Sequence, residues 1–130
     1  MQTITNKINY MAIILKSHGF KYSRPEANYV MDVSFFINPW RDKKIREEQD
    51  KDKRKKMIMK FMEDQEGVNN FVTRVSSLLR LLSMMYPDEN LQVAICCSAG
   101  EYRSPAIVEM ISENLGKVPH TVIQNINSKI

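Results

Sequence analysis

Glycine and proline are scarce in this 130-residue chain, at four and five, so collagen-like and linker-like architectures are excluded. Cysteine occurs twice, at adjacent positions 96 and 97. Two neighbouring thiols exclude a disulfide framework and point to a reducing, cytoplasmic setting. No apolar run approaches the roughly 18 residues that a membrane span needs, so no membrane partner is expected. The opening MQTITNKINY lacks the charged-then-apolar order of a signal peptide. His18 and His120 are isolated, and no Cys/His ligand spacing exists. Neither a metal nor a cofactor is expected.

The chain that remains has a mass of 15.2 kDa, 43% hydrophobic and 26% charged residues. Those fractions are ordinary for a soluble globular protein and argue for one domain over residues 1–130. A chain of this size buries roughly two-thirds of its unfolded surface, enough for a single core. The formal net charge is +4 and the pI about 9.1. The excess is local: residues 41–60 hold ten of the 19 basic residues against five acids. Such a segment is either a solvated face or a phosphate-directed contact with RNA, centred on Lys53, Arg54, Lys55 and Lys56.

Hydrophobic periodicity alternates strand and helix. INYMAIIL (8–15) reads as a strand stopped by Ser17-His18-Gly19, and YVMDVSFFI (29–37) as a second strand ended by Asn38-Pro39. Residues 41–51 read as a loop and 52–64 as a helix. A strongly periodic helix is predicted over 68–86, with Val68, Phe71, Val72, Val75, Leu78, Leu79, Leu82 and Met85 on its core face and Pro87-Asp88 closing it. LQVAIC (91–96) reads as a buried strand, 104–115 as a helix capped by Ser104 and Gly116, and 120–127 as a last strand. The pattern predicts a small three-layer α/β domain with a mainly parallel sheet. Ligands of such sheets bind beyond the carboxyl ends of the strands.

The stretch VAICCSAGEYRSPAIVEM (93–110) carries the most chemistry. A strand delivers Cys97 to a loop of small residues, and Arg103 and Ser104 open a helix. Helix N-termini present unpaired N–H groups, and Ser98, Ala99 and Gly100 let the backbone approach a ligand closely. Arg103 adds a planar fork that suits two phosphate oxygens. The spacing Cys-x5-Arg-Ser also matches the nucleophile loop of cysteine phosphatases, in which Cys97 would attack, Arg103 would hold the phosphoryl group and Asp32 would serve as acid. A structural hydrogen bond to a loop is the competing role of Asp32. Cys96 alternates to the core, and Asp88 reads as a turn residue. Trp40 and Tyr22 suit either packing or stacking on a sugar or base. The nine methionines read as core filling.

GFKY (19–22), YVMDVSFFINPW (29–40) and the Cys-x5-Arg-Ser loop together resemble the C-terminal domain of the RapZ (YvcJ-type) family, in order and spacing, from about residue 6 to 125. The family's stretches read approximately GFKYG, D-V-R-F-x-x-N-P-H-W and G-C-T-G-G-x-H-R-S. The resemblance implies a phosphofructokinase-subdomain-like fold and a site for an oxyanion or amino-sugar phosphate. That site comprises Lys21, Tyr22, Asp32, Asn38, Cys97, Ser98, Ala99, Gly100, Glu101, Tyr102, Arg103 and Ser104. It further implies a small RNA partner, a protein partner and assembly into a homo-oligomer. The family's P-loop motif, G-x-x-x-x-G-K-[ST], is absent from this sequence. Departures from the pattern are Ser34 for Arg, Pro39 running directly into Trp40 without the His, Tyr102 for the loop His, Glu101 beside the anion site, and the loss of an R-H-R motif near the end.

Three functions follow as expectations. The leading one is a non-enzymatic ligand-sensing or adaptor domain of the RapZ type, binding a phosphorylated small molecule, an inorganic oxyanion or an RNA phosphate at residues 97–104. The alternatives are a cysteine-dependent phosphatase and an interaction protein without a ligand.

Overall fold

A computed structural model describes residues 12–85 and 90–130. Strand β1 (Ile13–Gly19) buries every second side chain, as a period of two requires. It runs through Ser17 and His18 and ends only at Gly19, so those residues belong to the strand and do not stop it. The first part of the predicted strand, up to residue 11, lies outside the described residues. β2 is only Tyr29–Asp32. The chain turns at Val33, whose N–H donates to Cys96 O at 2.7 Å, and the FFI run forms a loop. Apolar content alone does not separate that loop from a strand.

The predicted loop at 41–51 is partly helical. A 3-10 turn spans Pro39–Arg41, with Asn38 Oδ1 accepting from Trp40 N–H. Helix α1 (Lys43–Glu47) is capped by Asp42, and α2 (Lys51–Glu63) by Asp50, whose carboxylate accepts from the N–H groups of Asp52 and Lys53. Short Asp side chains compete for free N–H groups, and that fixes each start. Helix α3 (Val68–Met85) buries Val68, Val72, Val75 and Leu79, with Phe71 and Leu82 packed against the core. Leu78 and Met85, expected on the core face, are exposed. The apolar stripe is wider than the face that is covered. Pro87 and Asp88 lie outside the described residues.

β3 (Leu91–Cys97) is buried along almost its whole length. α4 (Arg103–Leu115) starts one residue early: Tyr102 occupies the N-cap position without a side-chain bond, and Ser104 is the second helical residue. Gly116 closes it at φ +56°, as expected of a C-cap glycine. β4 is His120–Ile123, so Gln124 and Asn125 leave the sheet.

The four strands form one parallel sheet in the order β2-β3-β1-β4. α4 packs on β1, β3 and β4 with one side and on α2 and α3 with the other. This middle position explains why Ser104–Val108, Met110, Ile111 and Leu115 are all buried, while Glu113 and Asn114 near its end stay exposed. Sheet, α4 and the α2–α3 pair make three layers. Parallel pairing brings the carboxyl ends of β1, β2 and β3 to one edge, with Asp32 opposite Cys96 and Cys96 opposite His18. Among the described residues no helix is long and apolar enough to cross a membrane.

Candidate anion-binding site

Three loops meet at the carboxyl edge of the sheet. The loop after β3 is pinned against the end of β1: Phe20 N–H donates to Cys97 O at 3.0 Å and Lys21 N–H to Ser98 O at 2.8 Å. Gly100 sits at φ +70°, a conformation that favours glycine. Asn125 Nδ2 donates to Gly100 O at 2.9 Å and to Ser17 Oγ at 3.0 Å, tying the loop to β1 and to the segment that follows β4. Gln124 adds a bond to Pro105 O at 3.0 Å. Glu101 turns away from the cysteine and faces Lys129 at 3.9 Å.

Cys97 lies under this loop, 2% exposed. Its thiol donates to Ser104 Oγ at 3.3 Å, the Ser104 hydroxyl donates to His18 O at 3.4 Å, and Ser104 N–H points at the sulfur at 3.4 Å. Cys96 alternates to the opposite face of the sheet and is fully buried. Burial, with the charge of Asp32 second, pushes its thiol up to about 12. Cys97, not Cys96, joins the core cluster beneath α4.

Arg103 has an occupation that spacing did not reveal. Its Nη1 donates to Ser34 O at 2.5 Å and to Phe36 O at 3.2 Å, so the first residue of α4 holds the loop that follows β2. Its Nε is sealed from solvent and has no partner among the described residues. Arg103 nevertheless borders a cleft of about 450 Å³, together with Ser34–Asn38, Trp40, Arg41 and Arg46. Arg46 Nη1 donates to Trp40 O at 2.7 Å, and Trp40 lies flat on Tyr102, with centroids 5.1 Å apart and planes 9° from parallel. Burial first, and Glu101 second, raise the Tyr102 phenol above its ordinary range. The cleft lining contains three arginines and no carboxylate. None of the three is in an ion pair among the described residues. Arginine presents a fixed fork of donors and stays charged, so a wall of this kind selects for anions.

Of the sequence-predicted site residues, Asn38 and Arg103 line this cleft, and Tyr102 backs it through Trp40. Asp32 accepts from Ser34 N–H at 2.8 Å, the structural bond to a loop that was its competing role. Lys21 and Tyr22 lie on the turn after β1, with Lys21 Nζ 5.9 Å from the Tyr22 ring centre. Ser98, Ala99, Gly100 and Glu101 form the adjoining loop and do not line the cleft. Arg41 and Arg46 were missed as site residues. Their only signal was a basic segment beginning right after Asn38-Pro39-Trp40, and that signal reads equally as a solvated helix face.

The chain matches the RapZ C-terminal domain family over residues 11–127. It belongs to that family. Among relatives, it is 34% identical over 118 residues to a nucleotide-binding protein of Clostridium botulinum, which covers 88% of this chain and 39% of that protein. It is 34% identical over 107 residues to the RNase adapter protein RapZ of Yersinia enterocolitica, and 35% identical to that of Escherichia coli, covering 79% of this chain and 37% of each relative. The chain thus spans less than two-fifths of the length of the relatives it matches.

The RapZ-type domain carries its basic segment on α1 and α2. Three of the four predicted RNA contacts already have partners. Lys53 pairs with Glu48 at 3.3 Å, Arg54 Nη1 donates to Glu48 O at 3.2 Å, and Lys55 pairs with Glu109 at 3.2 Å. The Asp50 N–H chiefly, with help from Lys53, holds the Glu48 carboxyl below the usual carboxylate range. Lys56 and Lys60 line a shallow groove on α2 with Asp52 and Glu63, and Lys60 pairs with Asp64 at 3.1 Å.

Proposed function

We propose that this RapZ C-terminal domain is a non-enzymatic adaptor that binds a phosphorylated ligand at the carboxyl edge of its sheet. The observation that carries the reading is the cleft with Arg41, Arg46 and Arg103 in its wall and no carboxylate to neutralise them. Its place beyond the strand ends is the usual one for ligands of parallel sheets. The 97–104 loop would support the site from behind: it presents α4 and holds Tyr102 under Trp40. Relatives named RNase adapter proteins support an adaptor role with an RNase as the protein partner.

Contact with RNA would run along α2, where Lys56 is the one predicted contact with neither an ion pair nor a side-chain hydrogen bond among the described residues. With Lys53, Arg54 and Lys55 engaged, that contact would be weak, phosphate-directed and steeply salt-dependent.

The test is a thermal-shift series with phosphate, sulfate and sugar phosphates on the intact chain. Binding to the native state raises stability by mass action. The reading requires a shift that is lost in an Arg41→Ala, Arg46→Ala double variant. No shift with any of these anions overturns it.

A further inference from the structure

We propose that Ser112 is a nucleophile that takes an acyl group from an activated ester, with His120 as its base. The proposal is independent of the anion site, since Ser112 stands roughly 13 Å further along α4 than Arg103, at about 1.5 Å per residue. It rests on two hydrogen bonds that fix the direction of a proton. His120 Nδ1 lies 2.6 Å from Val118 O. A carbonyl oxygen only accepts, so Nδ1 carries the hydrogen and donates it. In the neutral ring Nε2 is then the bare nitrogen. Ser112 Oγ lies 2.7 Å from Nε2, so the serine hydroxyl donates to it. A serine whose proton points at one imidazole nitrogen, while an acceptor holds the other, has the polarity of a nucleophile with its base.

Other helical serines of the chain behave differently. Ser76 and Ser83 of α3 donate to carbonyls of their own helix, Val72 O at 2.7 Å and Arg80 O at 2.8 Å. Ser112 instead turns to a side chain beyond the end of α4. The fold enforces that meeting. Gly116 ends the helix at φ +56°, Val118 N–H donates to Leu115 O at 3.0 Å, and the chain re-enters the sheet at His120. Val118 packs against the core, so the carbonyl behind the imidazole is firmly placed. Ser112 and His120 are both half-buried, whereas Ser76 and Ser83 are sealed. A reagent can therefore reach Ser112. In the reaction, Oγ attacks the carbonyl carbon of the ester and its proton passes to His120 Nε2. The Oγ–C bond forms, the bond from that carbon to the leaving oxygen breaks, and the leaving group takes the electron pair and then the proton. A backbone carbonyl orients the imidazole but carries no full charge to balance an imidazolium, so the step is a slow acylation. Its product is an O-acylated serine, a covalent modification.

The experiment treats the full chain with a tagged alkyl fluorophosphonate, whose P–F bond yields to serine nucleophiles, and maps the adduct by peptide mass spectrometry. Ser112 is expected to react about a hundredfold faster than the other serines, within the range that a positioned base supplies. His120→Gln keeps a hydrogen-bond partner but takes no proton, and should lose that advantage while circular dichroism stays unchanged. The variant also alters the tie between α4 and β4, so wild type in concentrated urea gives a second comparison that needs no substitution. There Ser112 should react no faster than the other serines. With p-nitrophenyl acetate, an acetyl group should appear on Ser112, and release of nitrophenolate should fall in Ser112→Ala. Labelling of Ser112 at the rate of the other serines, or labelling undiminished by His120→Gln or by urea, shows a hydrogen bond that only ties α4 to β4 and overturns the proposal. Fluorophosphonate labelling with no acetyl transfer to Ser112 overturns the acyl chemistry.

Discussion

Gly19 and Gly100 lie backbone against backbone. A Cβ on Gly100 would come within 2.8 Å of Gly19 N, and one on Gly19 within 2.6 Å of the Ala99 carbonyl. This approach locks the β3–α4 loop onto the end of β1. Gly100→Ala would combine backbone strain at φ +70° with overpacking, each about 1–3 kcal/mol. Gly116→Ala, at φ +56° with open space around the site, would meet only the strain. Urea denaturation should therefore rank Gly100→Ala as clearly the more damaging. Equal losses would show that the loop yields and that the close approach is unimportant.

Arg103 joins α4 to the β2 loop through two carbonyls. Arg103→Ala should destabilise the fold by about 1.5–3 kcal/mol, the scale of hydrogen bonds to a charged group. It should weaken phosphate binding by a similar amount. Arg103→Lys should recover little of the phosphate affinity, since an ammonium lacks the planar fork that grips two phosphate oxygens. Full rescue of phosphate affinity by lysine would contradict this account.

Gln65 clamps Ile37 from both sides: Ile37 N–H donates to Gln65 Oε1 at 2.8 Å, and Gln65 Nε2 donates to Ile37 O at 2.7 Å. The clamp holds the loop whose carbonyls bind Arg103. Ile37 is exposed, so water would replace the lost bonds and the global cost of Gln65→Ala should be only about 1 kcal/mol. The local effect should be larger. Hydrogen exchange at the Ile37 amide should accelerate well beyond what the change in global stability allows. Unchanged exchange there would show that the phenylalanine contacts alone fix the loop.

Cys96 has a thiol raised from 9.0 to about 12 in the fold, by burial first. The native state therefore keeps a proton that the unfolded chain releases. The associated stability is fully present below pH 9 and declines as pH rises toward 12. Wild type should lose stability above about pH 9 more steeply than Cys96→Ala, which lacks this proton. Parallel pH profiles would contradict the assignment.

Cys97 carries the phosphatase spacing but is buried, with its thiol turned to Ser104. Steady hydrolysis of an aryl phosphate is not expected. Turnover that disappears in Cys97→Ser would revive the enzyme reading.

The element order was legible in the sequence because each signal is local. α3 is written in valines and leucines at three- and four-residue steps, Gly116 marks the end of α4, and the β-prone run at 91–97 is unmistakable for its length. Boundaries failed where tertiary contacts decide them. Ser17 stays in β1 because parallel pairing with Ile95 and the side chain of Asn125 satisfy it, and Phe35 and Phe36 leave the strand to pack on Phe71.

The same division runs through the site. Sequence by itself placed Cys97 and Asn38 at strand ends and Arg103 at a helix start, since motif spacing fixes where a side chain leaves the backbone. Only the tertiary structure decided what each one meets. It turned the Cys97 thiol to Ser104, tied Arg103 to the carbonyls after β2, and brought Arg41 and Arg46 to the same cleft as Arg103, 57 or more positions away in the chain. A parallel sheet makes such meetings non-local: its ladder gathers distant strand ends at one edge, and sequence carries no local trace of that geometry.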